Sequence, residues 1–260
     1  MIDCGNGIPI VLIPGLQGRW EWMRPAVDAL AQKHRVISYS LCDERSSPFQ
    51  FDRERGFDNY VDQVARVLDR AGLDRAVIAG VSYGGLIATE FAARHSDRVT
   101  GLVLASALHA SWQPTALQQR YLNAPMLMSP LFVATAPQRM RLEMAAALPS
   151  ITSRLHFAAT HGVRVLSAPT SPARMARRIS WAQAHRFEDP SHILAPALIV
   201  TGEPGLDQVV PVDVTKRYLR DLRSAEHVVL EQTGHLGLVT RPDAFARVLE
   251  RFVNAVRLSA

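Results

Sequence analysis

Cysteine and lysine are almost missing from this 260-residue chain, with two of each. Cys4 and Cys42 lie in no paired-Cys or Cys/His spacing, which excludes a zinc site and a disulfide framework and leaves both as ordinary small hydrophobes. Long apolar runs are absent too: stretches such as Leu102–Ala105 and Ala197–Val200 are strand-sized, far short of the roughly 18 to 20 residues that span a bilayer. The N-terminus, Met1-Ile-Asp-Cys-Gly-Asn-Gly, carries no basic segment followed by an apolar stretch and a cleavage site, so a cytoplasmic protein is expected. No internal repeat, low-complexity tract or interleaved basic–aromatic stripe occurs, and nucleic acid is not an expected partner. What is present is 48% hydrophobic and 20% charged residues, enough for a full-sized core and too apolar for intrinsic disorder.

The scarcity of lysine makes the net charge of +5 almost wholly arginine, and its distribution is uneven. From Ala107 to Glu188 nine Arg face two acids, Glu143 and Glu188, a net of +7; the remainder of the chain sums to −2. Within this stretch Arg174, Arg177 and Arg178 stand at helical spacing. They read as a solvated helical face, with attraction of an anionic substrate, an acyl carrier or a phospholipid surface as the alternative.

The same boundaries separate two kinds of pattern. Ile8–Ile13, Arg35–Tyr39, Ala76–Ala79, Val99–Leu104, Ala197–Val200 and His227–Leu230 are short apolar runs suited to buried parallel strands. Between them lie helical patterns, clearest in Phe57, Tyr60, Val61, Val64, Val67 and Leu68, and in Phe245 to Val256 after Pro242. Alternating strands and helices predict an α/β fold with a doubly wound, mainly parallel sheet. The stretch 107–188 breaks the alternation, with no strong strand and five of the seven Met, and is predicted to be a helical cap inserted in a core formed by 1–106 and 189–260.

One segment carries chemistry. Ala76 to Phe91 reads strand, Gly80-Val81-Ser82-Tyr83-Gly84, helix. The five-residue motif alone arises by chance in about one chain in twenty of this composition, so its placement between strand and helix is what gives it weight. A serine held in such a turn needs neighbours without bulk, and the helix N-terminus beneath it favours developing negative charge. A hydroxyl is a poor nucleophile near pH 7 and needs a base, which needs a group to fix its tautomer. Of nine histidines only His235 sits in a short Gly-flanked loop after a strand, where an open α/β sheet places its site. The loop after the preceding strand offers Asp207 as the acid, with Glu203 second.

With Ile13-Pro14-Gly15-Leu16, Gly80-Val81-Ser82-Tyr83-Gly84, Asp207 to Pro211 and Gly234-His235 in that order, the chain resembles the α/β-hydrolase superfamily. The similarity is to its cap-bearing carboxylesterases, lactonases and carbon–carbon bond hydrolases, and it covers nearly the whole chain. The resemblance implies a triad of Ser82, Asp207 and His235, with the amides of Leu16 and Tyr83 as the oxyanion hole, and no metal or cofactor. It departs from the family in four ways, one being an acid loop two residues longer than is common between Gly202 and Asp207, which keeps Glu203 as the alternative acid. Pro14 stands where most relatives have His. The loop Ser38–Ser47 lacks the usual Asp-x-x-Gly-x-Gly turn. The chain begins almost at the first parallel strand, so an N-terminal hairpin is expected to be missing and the sheet to have about six strands.

A substrate pocket is expected from Trp20, Met126, Met128, Met140 and Leu236, since Met fits irregular apolar shapes. Trp20 and Trp22 are expected to pack over the helix at Pro25, with walling of this pocket as the alternative. The expected activity is hydrolysis of a carboxylic ester of a small or medium apolar substrate through an acyl-enzyme. Lactone, thioester or carbon–carbon bond cleavage by the same residues is the alternative within enzymes, and a non-catalytic small-ligand-binding protein the alternative outside them. The protein is expected to be a monomer or homodimer.

Overall fold

A computed structural model describes residues 1–259. Among these, seven strands form one sheet: β1 (Ile2–Cys4), β2 (Pro9–Ile13), β3 (Arg35–Ser38), β4 (Ala76–Val81), β5 (Val99–Ala105), β6 (Ala197–Thr201) and β7 (Ala225–Val229). Their order is β1-β3-β2-β4-β5-β6-β7, all parallel except β1, which pairs antiparallel with β3. The expected six parallel strands are all present, and the strand count is corrected from about six to seven by β1. Three residues of Ile-Asp-Cys are too short to show an alternation, yet Ile2, Asp3 and Cys4 pair with Ser38, Ile37 and Val36.

The helices are α1 (Arg24–Leu30), α2 (Asp58–Arg70), α3 (Tyr83–Arg94), α4 (Ala116–Asn123), α5 (Pro125–Ala147), α6 (Ile151–Ser167), α7 (Pro172–Ala184), α8 (Val212–Lys216), α9 (Tyr218–Asp221), α10 (Gly237–Thr240) and α11 (Pro242–Ser259). Because strand side chains alternate between faces, Ile10 and Leu12 of β2 pack on α1 and α11 through Val27, Phe245 and Leu249, whereas Val11 and Ile13 pack on α2 and α3 through Val64 and Ile87. Both faces of the sheet are therefore buried, and β4 is buried at every residue. Cys42 is buried in this core, which pushes its thiol up to about 12 and leaves it inert, as a small hydrophobe should be.

Helices α4 to α7 lie between β5 and β6 in sequence. α4 starts at a capping box, Thr115 accepting from the amide of Gln118 and the Gln118 side chain accepting from Thr115. The insertion is anchored to the core by a few long-range contacts. Trp22, on the turn before α1, donates Nε1–H to the carbonyl of Ala168 at 3.0 Å and sets its ring edge-on to His161. Trp22 thus meets the insertion, because its indole N–H finds its acceptor there.

Candidate active site

Ser82 sits between β4 and α3, with φ 53° and ψ −119°. A non-glycine residue there is strained by about 1–3 kcal/mol, a cost that persists only where the surroundings enforce it. They do so by closeness. A Cβ on Gly80 would come 2.3 Å from the carbonyl oxygen of Gly84, and one on Gly84 would come 2.6 Å from those of Ile13 and Pro14. The Ser82 amide donates to Ala105 at 3.0 Å, and its carbonyl accepts from Gly85 and Leu108. Strands β2, β4 and β5 thereby hold one serine at their carboxyl ends.

His235 and Asp207 meet from the loops after β7 and β6, with Nδ1 of the ring 3.3 Å from Oδ2 of the carboxylate. The other oxygen, Oδ1, accepts from the amides of Val209 and Val210, both at 2.9 Å. Burial pushes the Asp207 carboxyl up, but the His235 ring and the two amides outweigh it and hold it below its usual value. An ionised Asp207 draws the ring proton to Nδ1 and leaves Nε2 free to accept. Glu203 points elsewhere, accepting from the amide of Gln232 at 2.7 Å.

Ala105, whose carbonyl holds the Ser82 amide, lines with Ser106, Thr201, Gly234 and His235 a cavity of about 10 Å³, room for about one water. Among the described residues the Ser82 hydroxyl has no hydrogen-bond partner; hydrogen bonds of reactive hydroxyls often tighten only with substrate bound.

Gly15 brings the loop after β2 against the serine, its Cβ position 3.3 Å from the Cβ of Ser82 and 3.4 Å from the carbonyl of Val81. The Gly15–Leu16 peptide is fixed by Gly18, whose amide donates to the Gly15 carbonyl at 2.9 Å. Tyr83 is the first residue of α3 and is fully buried. The amides of Leu16 and Tyr83 therefore belong to segments built tightly around Ser82.

The expected pocket residues are more scattered. Leu236 is half-buried beside His235, Trp20 is half-buried under the Arg24 guanidinium, and Met128 and Met140 are half-buried on α5. Met126 is 66% exposed near the start of α5, which corrects its expected place in an enclosed pocket: it occupies an outward face of the helix. The arginines of α7 need a larger correction. Arg178 is fully buried, its Nη2 2.6 Å from Asp43 Oδ1 and from Glu44 Oε1, and Arg174 pairs with Glu44 at 2.9 Å. Two acids in the loop after β3 turn that helical face inward.

Glu143 was not anticipated either. It is 2% exposed on α5, and both its oxygens accept from the amide of Leu236, at 2.9 and 3.1 Å. Burial pushes its carboxyl up. The available signal was its isolation as the one acid between Ala107 and Phe187.

A family model described as the alpha/beta hydrolase fold matches residues 8–242, and the chain belongs to that family. The chain is 25% identical over 261 residues to 2-hydroxy-6-oxo-2,4-heptadienoate hydrolase of Pseudomonas putida, covering 97% of this chain and 91% of that one. It is 26% identical over 259 residues to pimeloyl-[acyl-carrier protein] methyl ester esterase of Aliivibrio salmonicida, covering 96% and 94%. Among solved structures, the enol-lactonase from Burkholderia xenovorans LB400 shares the fold with a TM-score of 0.77 at 22% identity, covering 97% of this chain and 95% of that one. Hydrolysis is the chemistry common to these relatives. No helix among the described residues is long and apolar enough to cross a membrane.

Proposed function

We propose that the protein is a cofactor-independent serine hydrolase acting on carboxylic esters of small or medium apolar substrates, with 107–188 as a cap over the site. Ser82 attacks the carbonyl carbon while Nε2 of His235 takes the hydroxyl proton. Asp207 holds the resulting imidazolium, and the amides of Leu16 and Tyr83 receive the oxyanion. Collapse of the tetrahedral intermediate expels the alcohol, protonated by His235, and leaves an acyl-enzyme. Water activated by the same ring then releases the acid and restores Ser82.

The observation that carries this reading is the strained Ser82 at a helix N-terminus at the carboxyl end of β4, together with a His235 in the loop after β7 whose ring is paired with a buried, hydrogen-bonded Asp207. A binding protein has no need of either the strain or the oriented ring. Among the bonds open to such a site, ester cleavage has the support of the Aliivibrio esterase, which matches along nearly its full length.

The test is turnover of p-nitrophenyl esters of two to eight carbons by the parent, Ser82→Ala and His235→Ala. Loss of either group should lower kcat by about three orders of magnitude or more. Equal turnover by Ser82→Ala would refute the mechanism.

A further inference from the structure

The residue that reaches furthest from the insertion into the core is Arg178. A fully buried guanidinium is costly unless every donor is used, and here each contact leads to the loops around Ser82. Nε and Nη2 donate to Asp43 Oδ1 at 3.1 and 2.6 Å, and Nη2 also to Glu44 Oε1 at 2.6 Å. Nη1 donates to the carbonyl of Leu16 at 2.7 Å. The guanidinium lies on Gly18, which has φ +70° and where a Cβ would fall 2.4 Å from Nη1. Gly18 in turn holds the Gly15 carbonyl, the other end of the peptide that carries the Leu16 N–H. The backbone of Arg178 is used as well: its carbonyl accepts from the Tyr83 hydroxyl at 3.0 Å.

We propose that Arg178 is a positioning residue for the oxyanion hole: one residue of the insertion fixes, through its side chain, the loop bearing the Leu16 amide and, through its carbonyl, the residue bearing the Tyr83 amide. The proposal rests on the reading of those amides as the oxyanion donors. Pro14, with no side-chain donor, cannot steady this loop; Arg178 supplies the donor from the other side. Attachment of the insertion alone would not require contact with Leu16, since Arg174 already bridges α7 to Glu44. Arg177, 3.7 Å from Asp43 Oδ2, adds a second tie. A carbonyl contact on Leu16 and a hydroxyl contact from Tyr83 act on the donors, and therefore on the transition state, more than on the bound ester.

The test is the second-order rate at which an alkyl fluorophosphonate labels Ser82, since its phosphoryl oxygen enters the same hole, read beside kcat and KM for p-nitrophenyl butyrate and the melting temperature. Arg178→Lys keeps a charge beside Asp43 and Glu44 but loses the planar fork. Arg178→Met with Asp43→Asn removes the guanidinium without stranding a carboxylate, because Glu44 keeps Arg174. Tyr83→Phe removes one hydroxyl and leaves the ion cluster whole, so it folds even if the others do not.

The expected result is labelling and kcat both about 30-fold lower in the Arg178 variants and about 3-fold lower in Tyr83→Phe, with KM within about 3-fold of the parent, a displaced donor costing less than a deleted one. Labelling at the parental rate in the folded variants, or a rise in KM at constant kcat, overturns the proposal. A parent that labels at Ser82 while the variants label equally well removes the role of Arg178 alone. A parent whose Ser82 is not labelled removes the serine mechanism beneath it.

Discussion

The Asp207 carboxylate is held by two amides and one ring, so replacing it with asparagine keeps the amide contacts and changes what faces His235. An NH₂ turned to Nδ1 favours the ring tautomer that cannot accept from Ser82, and kcat for Asp207→Asn should fall by about 10³-fold or more. Glu203→Gln should stay within about 3-fold, because Glu203 serves the Gln232 amide. Steady-state kinetics of the pair checks this, and the reverse order would move the acid to Glu203. Glu143 gives the second test at this scale. Its carboxyl is pushed up by burial, so its contribution to stability is fully present below the unfolded value and is lost as pH rises through the folded one. Asp207 has the opposite sign, stabilising above its unfolded value and losing that as pH falls through the lowered folded one. Melting curves of Glu143→Gln against the parent should therefore shift in favour of the variant as pH rises above the ordinary glutamate value. A shift toward the parent would mean the charged form is the better accommodated one. Ser82, His235 and Asp207 could be singled out in the sequence because the proposed chemistry asks for particular residue types at particular loop ends. Arg178 and Glu143 could not, since nothing in a helical spacing says whether a charged face meets water or a buried partner 93 to 135 residues away.

At the scale of elements, the turn from β4 to α3 is fixed by contact between backbones. Gly84→Ala would drive a Cβ into the carbonyls of Ile13 and Pro14, at 2.6 Å from each, and backbone cannot yield as a flexible side chain can. The expected cost is about 1–3 kcal/mol, with displacement of the loop that carries Leu16. Urea unfolding measures the first and esterase turnover the second, and an unchanged midpoint would contradict the packing described. The six parallel strands could be read from apolar runs because strands buried on both faces have little choice of residue. β1 escaped because only three residues pair, and β7 begins at Ala225 rather than His227 because Ala225 and Glu226 pair with Ala197 and Leu198 despite their weak strand character. The first helical turn of α5 exposes Met126, whose apolar character alone had suggested a pocket wall.

Across the whole molecule, the charge imbalance between the insertion and the remainder becomes a set of joints. Arg174 and Arg178 spend their charge on Asp43 and Glu44, Trp22 ties the turn before α1 to Ala168, and Glu143 ties α5 to the loop of His235. The net of +7 could be counted in the sequence, but its use depended on which acids the fold brought to it. With all three α7 arginines paired to Asp43 or Glu44, little free charge is left on that helix to attract an anionic ester. Raising salt from about 50 to 500 mM should change turnover of a carboxylate-bearing ester, relative to a neutral one, by less than about 2-fold. A tenfold fall would show that other arginines of the insertion steer the substrate.

The most direct measurement is reaction of the purified protein with a fluorophosphonate followed by peptide mass mapping. The expected adduct is on Ser82 alone and is lost in His235→Ala, as an activated serine requires. A folded protein that takes no adduct, or carries it on another residue, would contradict the serine-hydrolase mechanism.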